Sequence, residues 1–332
     1  MKKLRWGILS TAEIARKLTI PAIIRAENAE LTAIASLSGS AGKVAECFDI
    51  PKTYDSYEEL LSDQDIDAVY IPLPNHMHKE WTIKAAEQKK HILCEKPSSL
   101  NAEDTKEMVQ ACEENGVHFT ETFTYQYHPQ NKRVKEIIQN GDIGEVKLVR
   151  SNCSFFLEGK EGNFRLDNKT GGGSLYDVGV YSIHTIRQVL GLEPNSVQGS
   201  AIFNENDVDM SSSMILNFEN GIKGSFDCGM NMARYMAYEV VGTKGVIQVP
   251  RAYQPDQFNS VGLINIIDSD GNEKEETVYG DEQRIAIEHF GDCVLKGEKP
   301  QFNSRSSIKN MKVLDACIKA VRSGTTIEVE KQ

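Results

Sequence analysis

The sequence predicts an α/β chain of two domains, the first built on a doubly wound parallel sheet and the second on a large, mostly antiparallel open sheet. Three observations lead to this class. The chain has 332 residues, which is long for a single hydrophobic core. Its N-terminal part alternates short apolar runs with amphipathic helical stretches, as βαβ units do. Its later part instead contains β-rich runs joined by polar turns, which favours antiparallel pairing.

The N-terminal part contains the candidate strands of the parallel sheet and the helices between them. The strands are predicted at residues 4–10, 30–38, 67–74, 90–97 and 117–122. Helices are predicted at residues 12–26, 78–90 and 102–115. Strands that alternate with helices form parallel sheets buried on both faces. We therefore predict a first domain over residues 1–122.

The pattern changes after Tyr125, where a second domain over residues 123–332 is predicted. A helix is expected over 129–140, and the run IGEVKLVRSNCSFF after it is expected to open a new sheet. The pair Asn220-Gly221 between alternating runs is a strong hairpin signal. The segment GGGSLYDVGVYSIHTIRQVLG is predicted to be a helix packed on this sheet. Two further helices are predicted near 282–296 and 305–322.

The composition disfavours several classes of protein. The formal charge of −11 argues against nucleic acid or an anionic membrane surface as a partner. The seven cysteines are scattered without a CxxC pair, so neither a disulfide framework nor a metal site is predicted. No apolar run approaches the ~20 residues of a membrane span, and the N-terminal run is too short for a secretory signal. We expect a cytoplasmic protein.

The first strand ends at a turn that is a candidate for dinucleotide binding. The usual fingerprint has three glycines there, but Ser10-Thr11-Ala12-Glu13-Ile14-Ala15 carries small residues and no glycine. The turn precedes a helix whose first amides can face a pyrophosphate. An unrelated βα turn is the alternative interpretation. The candidate cofactor contacts are Ser10, Thr11, Ala12 and Ile14.

The end of the second strand bears on the choice between NAD and NADP. An acidic residue there usually binds the ribose hydroxyl of NAD, but this strand ends Ala35-Ser36-Leu37-Ser38. Without an acid, nothing at this point repels a 2′-phosphate, and Ser36, Ser38 and Lys43 are candidates to bind one. The pattern favours NADP. NAD stays open, because Leu37 stands where an arginine would have decided the question.

Two further strand ends lie where a nicotinamide would bind, since ligands of open α/β sheets bind outside the carboxyl ends of the strands. One strand runs into IPLPNHMH and the next into CEKPSSL. The alternative for Lys96 is a surface lysine paired with Glu95, and that for His76 and His78 is a pair of solvated loop histidines. The candidate cofactor contacts here are Pro72, Leu73, Asn75, His78, Glu95 and Lys96.

These segments together resemble the Gfo/Idh/MocA oxidoreductases over essentially the whole chain. The resemblance is carried by WGILSTAEIA, DAVYIPLPNHMHKEWTIKAAE, HILCEKPSSL, ETFTYQYHPQ and FRLDNKTGGGSLYDVGVYSIHTIRQVLG. It implies an N-terminal Rossmann domain and a C-terminal α/β domain with a large, mostly antiparallel sheet. The most similar subgroup contains the NADP-dependent D-xylose dehydrogenases, the dihydrodiol dehydrogenases and glucose–fructose oxidoreductase.

The resemblance also implies roles for individual residues. Lys96 matches the lysine of the EKP motif, which reaches the catalytic centre in the family. Many members place a catalytic histidine four residues after an aspartate, whereas this chain has Asp177 followed by Tyr181, as in the tyrosine subgroup. Further positions are similar to cofactor-side or substrate-side residues of the family: Asn75, His78, Arg165 and residues 124–128.

The residues Asp177, Tyr181 and His184 are spaced to project from one face of a helix. A buried helix with a polar ridge is the alternative, although an unpaired buried aspartate is costly. Oxidising a hydroxyl requires a base for its proton, and a nearby ammonium lowers the pKa of a tyrosine towards that task. We therefore predict Tyr181 as general acid/base, Lys96 as its electrostatic partner and Asp177 as an anchor for substrate or lysine. His184 is expected to be structural or to support the site indirectly.

The predicted substrate cleft is rich in aromatic and polar side chains, which suits a neutral ring carrying hydroxyl groups. We expect a sugar or cyclic polyol, with aldose oxidation ahead of dihydrodiol or anhydro-sugar chemistry. Gly171–Gly173 are expected to let the backbone pass close to the nicotinamide pocket. The candidate substrate contacts are Tyr125, Tyr127, His128, Phe164, Arg165, Tyr176 and His184.

Two other classes of function stay open at this point. The fold also resembles that of a non-catalytic, cofactor-sensing regulator, although such a protein has no need of Lys96 with Tyr181. An NAD-dependent glycosidase of the same superfamily would borrow and return the hydride without net reduction. An antiparallel sheet with one uncovered face usually needs a partner. We therefore expect a homodimer or homotetramer formed through the C-terminal sheet.

Overall fold

The computed structural model describes residues 2–158, 162–298 and 300–330. The chain forms two compact units. The first comprises Met1–Thr124 with Gln283–Ile308, and the second comprises Tyr125–Glu282 with Lys309–Gln332. The chain first passes from one unit to the other after Thr124, two residues beyond the predicted boundary at residue 122. Residues 283–308 pack in the first unit, whereas the two-domain division of the sequence placed them in the second.

The first unit is built on a parallel sheet. Its strands are β1 (Leu4–Leu9), β2 (Ala29–Ala35), β3 (Lys52–Tyr54), β4 (Ala68–Ile71), β5 (His91–Cys94) and β6 (Phe119–Glu121). Their order is β3-β2-β1-β4-β5-β6, and all of these pairs are parallel. This is the doubly wound order of dinucleotide-binding folds, with its switch point between β1 and β4. The predicted class of the first domain is therefore confirmed.

Both units contain helices. In chain order they are α1 (Ile20–Arg25), α2 (Ala41–Phe48), α3 (Tyr57–Ser62), α4 (His78–Glu87), α5 (Ala102–Asn115), α6 (Pro129–Gln139), α7 (Val180–Leu190), α8 (Glu282–Lys296) and α9 (Ser304–Ser323). Within the described ranges, no helix combines the length and apolar character of a membrane span. A π-helical turn precedes α1 at Ala15–Thr19, and another precedes α7 at Leu175–Gly179. Regular α-helical spacing was expected from Asp177 to Tyr181, and the π-helical turn at Leu175–Gly179 was not predicted.

Helix α8 belongs to the first unit because of its apolar face. Phe290 packs on Trp6, with ring centroids 5.0 Å apart, and Ile287 lies in the same buried cluster. The side-chain amide of Asn28 donates to the carbonyl of Glu288 at 2.7 Å. These contacts join residues that are far apart in sequence, so the pattern of α8 alone could not reveal its unit.

The second unit is built on a mixed, mostly antiparallel sheet, which confirms the predicted class. Its strands are β7 (Val146–Phe156), β8 (Ser196–Phe203), β9 (Asp209–Asn217), β10 (Lys223–Gly229), β11 (Asn231–Gly242), β12 (Gly245–Val249), β13 (Val261–Asp268), β14 (Glu273–Tyr279) and β15 (Ile327–Glu328). Their order is β14-β13-β12-β11-β7-β10-β9-β8-β15, with β7 and β10 parallel. The predicted hairpin joins β9 to β10, and Asn220 and Gly221 both have positive φ, 67° and 74°.

Helix α7 packs on one face of this sheet, as predicted. The close approach is at Gly224 of β10, where an added Cβ would meet the side chain of Ile186. Gly224 is in register with Val149 of β7 and with Leu216 of β9, both fully buried. The core of the second unit therefore lies between these strands and the helix that carries Tyr181.

Candidate active site

The turn after β1 has the backbone shape that a glycine usually provides. Ser10 has φ of 123°, a conformation that residues with a side chain rarely adopt. Its amide donates to the carbonyl of Ala35 at 3.0 Å, and its hydroxyl accepts from the amide of Ala12 at 3.1 Å. Strained backbone of this kind is concentrated at ligand-binding sites. The glycine-free turn therefore keeps a geometry suited to a nucleotide.

A cluster of hydroxyl groups lies at the carboxyl end of β2. The hydroxyl of Ser40 is 2.7 Å from that of Thr11 and 2.9 Å from those of Ser36 and Ser38. Hydroxyl groups can all turn to donate to one anion, and the stretch from Ser36 to Lys43 contains no acid. The donor set therefore fits a phosphate. Sequence reasoning missed Ser40, although the alternation of serines at 36, 38 and 40 was a usable signal.

His78 connects the chain segments that follow β4 and β5. Its Nε2 lies 2.7 Å from the carbonyl oxygen of Leu73 and its Nδ1 lies 2.8 Å from that of Pro97. The side chain is fully buried, and this burial lowers the pKa of His78 to about 4. His78 is thus not a solvated loop histidine. The neutral ring has one N–H and can donate to only one of these two carbonyl groups, while it lies buried between the segments that contain Leu73 and Pro97.

The burial of His78 should make the chain sensitive to acid. Its folded pKa of about 4 lies below the ordinary value of 6.5, so between these values the unfolded chain binds a proton that the folded chain does not. The free energy of unfolding is therefore unaffected by the titration of His78 above pH 6.5. It falls by about 3 kcal/mol as the pH decreases to 4. Urea midpoints of wild type and His78→Gln across this range test the effect. We expect a smaller acid loss in the variant, and equal losses would contradict the assignment.

The segment that carries Lys96 is held by several neighbours. The carboxylate of Glu95 accepts from the hydroxyl of Tyr70 at 2.7 Å, and desolvation raises the pKa of Glu95. The amide of Lys96 donates to the hydroxyl of Thr122 at 3.3 Å, and the amide of Ser98 donates to a buried carboxylate, that of Glu121, at 2.9 Å. The backbone on both sides of Lys96 is therefore fixed.

In the second unit, Asp177 is paired with Arg165. The guanidinium Nε of Arg165 lies 2.8 Å from Oδ2 of Asp177, and the guanidinium also lies over the ring of Phe164. Asp177 is buried, whereas Phe164 and Arg165 are partly exposed. The pair brings together residues that the sequence assigned separately to the catalytic and substrate sides.

The glycines before α7 have a packing role within the second unit. An added Cβ on Gly172 would meet the carbonyl groups of Arg165 and Asp167, and one on Gly173 would meet the carboxylate of Asp209. Oδ2 of Asp209 accepts from the hydroxyl of Ser174 at 2.6 Å and from the amide of Leu175 at 2.8 Å. Asp209 thus caps the start of the helix. Sequence reasoning missed it, because it lies on β9, far along the chain.

Three tyrosine rings contact one another in the second unit. The ring of Tyr181 is 5.9 Å from that of Tyr125 and 5.4 Å from that of Tyr253, centroid to centroid. Tyr125 and Tyr253 are 3% and 5% exposed, and burial raises the pKa of both phenols. Tyr181 is partly exposed. Of the three, Tyr181 alone is accessible enough to meet a substrate.

The remaining predicted substrate contacts are mostly buried. His184 is 3% exposed, with its Nδ1 2.6 Å from the hydroxyl of Tyr125. Its burial, together with the charges of Arg187 and Lys135, holds the pKa of His184 well below 6.5. His128 caps α6 by accepting from the amide of Gln130 at 3.2 Å. Contact of Tyr125, Tyr127, His128 or His184 with a substrate stays a prediction. In the described parts of the chain, no group of three metal-binding side chains is placed to hold an ion.

The doubly wound sheet, the strained turn after β1 and the hydroxyl cluster at the end of β2 are together typical of a dinucleotide-binding protein. Residues 4–123 match the model of an oxidoreductase family with an NAD-binding Rossmann fold. Residues 131–248 match the model of the GFO/IDH/MocA C-terminal domain. The chain therefore belongs to the Gfo/Idh/MocA family of oxidoreductases, as the sequence motifs predicted.

Named relatives match nearly the full length. A D-xylose 1-dehydrogenase (NADP(+)) of Haloferax volcanii is 34% identical, covering 98% of this chain and 99% of the relative. A trans-1,2-dihydrobenzene-1,2-diol dehydrogenase of Mus musculus is 27% identical, covering 99% of both chains. The crystal structure of KijD10, a 3-ketoreductase from Actinomadura kijaniata, in complex with NADP and TDP-benzene, has a TM-score of 0.90 at 28% identity. It covers 96% of this chain and 98% of its own.

Proposed function

We propose that this chain is an NADP-dependent dehydrogenase that transfers hydride between a hydroxyl-bearing carbon of a sugar or cyclic polyol and nicotinamide. An aldose such as D-xylose is the proposed substrate class. The observation that carries the proposal is the partial exposure of Tyr181 beside two buried tyrosines, on the helix that follows Asp177. The xylose dehydrogenase activity named for a full-length relative supports the choice of substrate.

The proposed roles follow from the chemistry of alcohol oxidation. The bound dinucleotide supplies the hydride acceptor at its nicotinamide ring. Tyr181 takes the proton of the substrate hydroxyl and returns it in the reverse direction. The ammonium of Lys96 stabilises the phenolate form of Tyr181. The ion pair of Asp177 with Arg165 orients the hydroxyl groups of the substrate.

The cofactor-side residues fit a dinucleotide with a 2′-phosphate. The turn from Ser10 to Ile14 would hold the pyrophosphate, because it lies at the switch point of the sheet. The cluster formed by Ser36, Ser38, Ser40 and Thr11, with the ammonium of Lys43 on α2, would hold the 2′-phosphate. Pro72, Leu73 and Asn75 follow β4 on the other side of the switch point.

The variant Ser38→Asp should reverse the preference between the two dinucleotides. Ser38 is exposed, so a carboxylate there meets the 2′-phosphate of NADP and repels it, but can bind the ribose hydroxyl of NAD. We expect the Kd of NADP⁺ to rise about 100-fold, with little loss of NAD⁺ affinity. Calorimetric titration of both dinucleotides and of 2′-AMP measures this. Ser56→Asp adds the same charge at the N-cap of α3 and serves as the control. An unchanged ratio of affinities would reject the phosphate site.

The substrate proposal is tested with purified protein, both dinucleotides and a panel of aldoses, anhydro-sugars and benzene dihydrodiol. Dinucleotide reduction is followed by absorbance. Reduction of NADP⁺ with aldoses as the best substrates supports the proposal, and preference for the dihydrodiol replaces it with the activity named for the mouse relative. Dinucleotide binding without any reduction indicates a regulator. Cleavage of a glycoside without net reduction indicates a glycosidase.

We also propose that a second copy covers the face of the sheet opposite α7. Because side chains alternate along a strand, the register of β10 with its neighbours places Phe156, Ile202 and Ile215 on that face. They are 62%, 66% and 41% exposed. Light scattering should give a dimer or tetramer for the wild type and a smaller assembly for Ile215→Arg. A monomeric wild type would contradict this proposal.

A further inference from the structure

The ring of Tyr181 packs against two aromatic walls, the buried rings of Tyr253 and Tyr125, which also contact each other. Tyr253 lies 5.4 Å from it with an interplanar angle of 50°, and Tyr125 lies 5.9 Å from it with an angle of 56°. The two walls also meet each other edge to face, 5.0 Å apart at 82°. Such tilted and edge-on contacts favour one mutual arrangement of the rings. The orientation of Tyr181 therefore depends on the positions of its two neighbours.

The hydroxyl of Tyr253 is anchored by a buried chain of hydrogen bonds. It lies 2.6 Å from the hydroxyl of Ser151 on β7, which donates to the hydroxyl of Ser182 at 2.8 Å. A serine hydroxyl has one proton, so Tyr253 must donate to Ser151. Ser182 directly follows Tyr181 in α7. These hydrogen bonds therefore join Tyr253 to the residue next to the one that its ring contacts.

The second wall is anchored on the same helix. The hydroxyl of Tyr125 lies 2.6 Å from Nδ1 of His184 and 2.7 Å from the hydroxyl of Thr185. Burial keeps the phenols of Tyr125 and Tyr253 neutral, since it raises the pKa of each. Tyr125 and Tyr253 are therefore uncharged and do not compete with Tyr181 for a proton. Their contribution is to its position.

We propose that Tyr253 is a positioning residue, whose ring, anchored through Ser151, holds Tyr181 in the orientation that exchanges a proton with the substrate. This inference rests on the proposed role of Tyr181. Proton transfer requires the two heavy atoms within hydrogen-bond reach, and a displacement of about 1 Å can cost about 100-fold in rate. Tyr253 lies in the segment after β12, in RAYQPDQ, where no motif distinguishes it from an ordinary loop tyrosine.

Two substitutions separate the anchor from the ring. Tyr253→Phe keeps the ring and removes its hydrogen bond to Ser151, whereas Tyr253→Leu removes the ring. We expect kcat to fall about 5-fold in the first and about 50-fold in the second, with KM and the Kd of NADP⁺ within about twofold of wild type. Tyr54→Phe is the control, because it removes a tyrosine hydroxyl that donates to Asp63 at 2.7 Å in the first unit, and should leave kcat unchanged. A loss confined to KM would overturn the proposal.

A double-mutant cycle shows whether Tyr253 acts through Tyr181. In the Tyr181→Phe background, Tyr253→Phe should leave the residual rate unchanged, since the group that it positions is already absent. The same fold loss in both backgrounds would show an independent role and overturn the proposal. Wild-type turnover of Tyr181→Phe would instead reject the proposed function, and with it the catalytic part of this inference.

A structural readout tests the positioning without reference to activity. Crystal structures of the wild type and Tyr253→Leu should show the Tyr181 ring in one conformer in the first, and displaced or in several conformers in the second. Tyr253→Phe should show a smaller displacement. An unmoved Tyr181 ring in Tyr253→Leu would overturn the inference even if the proposed function of Tyr181 holds.

Discussion

Replacing Tyr181 by phenylalanine is expected to lower kcat about 1000-fold. The ring and its contacts with Tyr125 and Tyr253 remain, so the substitution removes the proton-accepting oxygen and little else. The cofactor-side residues lie in the other unit, and the Kd of NADP⁺ should therefore stay near the wild-type value. Steady-state kinetics with the best sugar of the panel, together with calorimetry, measures both quantities.

The control for this substitution is again Tyr54→Phe, which removes a tyrosine hydroxyl in the first unit, away from the Tyr181 ring. Equal losses in both variants would point to a general effect of hydroxyl removal on stability. Full turnover in Tyr181→Phe would remove the residue from the mechanism. Lost dinucleotide binding in Tyr181→Phe would also contradict the assigned role.

The parts of the fold that depend on local pattern were predictable. Strands spaced by helices predicted the doubly wound sheet, because buried parallel strands read as short apolar runs. Asn220 and Gly221 predicted the hairpin, because both adopt the positive φ that such a turn requires. The edge strand β3 was missed, since Lys52–Tyr54 is short and only partly buried.

The features that depend on distant residues were not predictable. Nothing in the sequence of α8 indicates that Phe290 meets Trp6, and nothing near Asp209 indicates that it caps the helix before Tyr181. Tyr253 reaches the site from a loop without a motif. Composition and periodicity report which face of an element is apolar, but long-range pairing is set by how those faces pack together.

The site shows the same division. Lys96, Asp177 and Tyr181 stood out by spacing and by family resemblance, and their catalytic roles remain predictions to be tested. The ion pair of Asp177 with Arg165 could not be predicted from the sequence, because the fold of the intervening loop brings the two side chains together. The alternation of serines indicated Ser40, but its 2.7 Å contact with the hydroxyl of Thr11 is visible only in the folded chain.

Replacing Lys96 by methionine is expected to lower kcat about 100-fold at neutral pH, and the loss should diminish as the pH rises. Methionine keeps a long apolar side chain but removes the ammonium that favours the phenolate of Tyr181. At higher pH, hydroxide in the solvent restores part of that phenolate, so the rate of the variant should climb where that of the wild type is flat. Because the backbone amides of Lys96 and Ser98 donate to Thr122 and Glu121, the substitution should leave the segment in place.

The pH dependence distinguishes this role from a structural one. Lys84→Met removes a surface lysine that pairs with Glu58 and Glu80, and exposed pairs of this kind contribute little. Its pH–rate profile should coincide with that of the wild type. A Lys96→Met profile parallel to wild type at every pH would mean that the ammonium does not act on the proton-transferring group. Recovery at high pH that disappears in the double variant with Tyr181→Phe would show that Lys96 acts through the tyrosine.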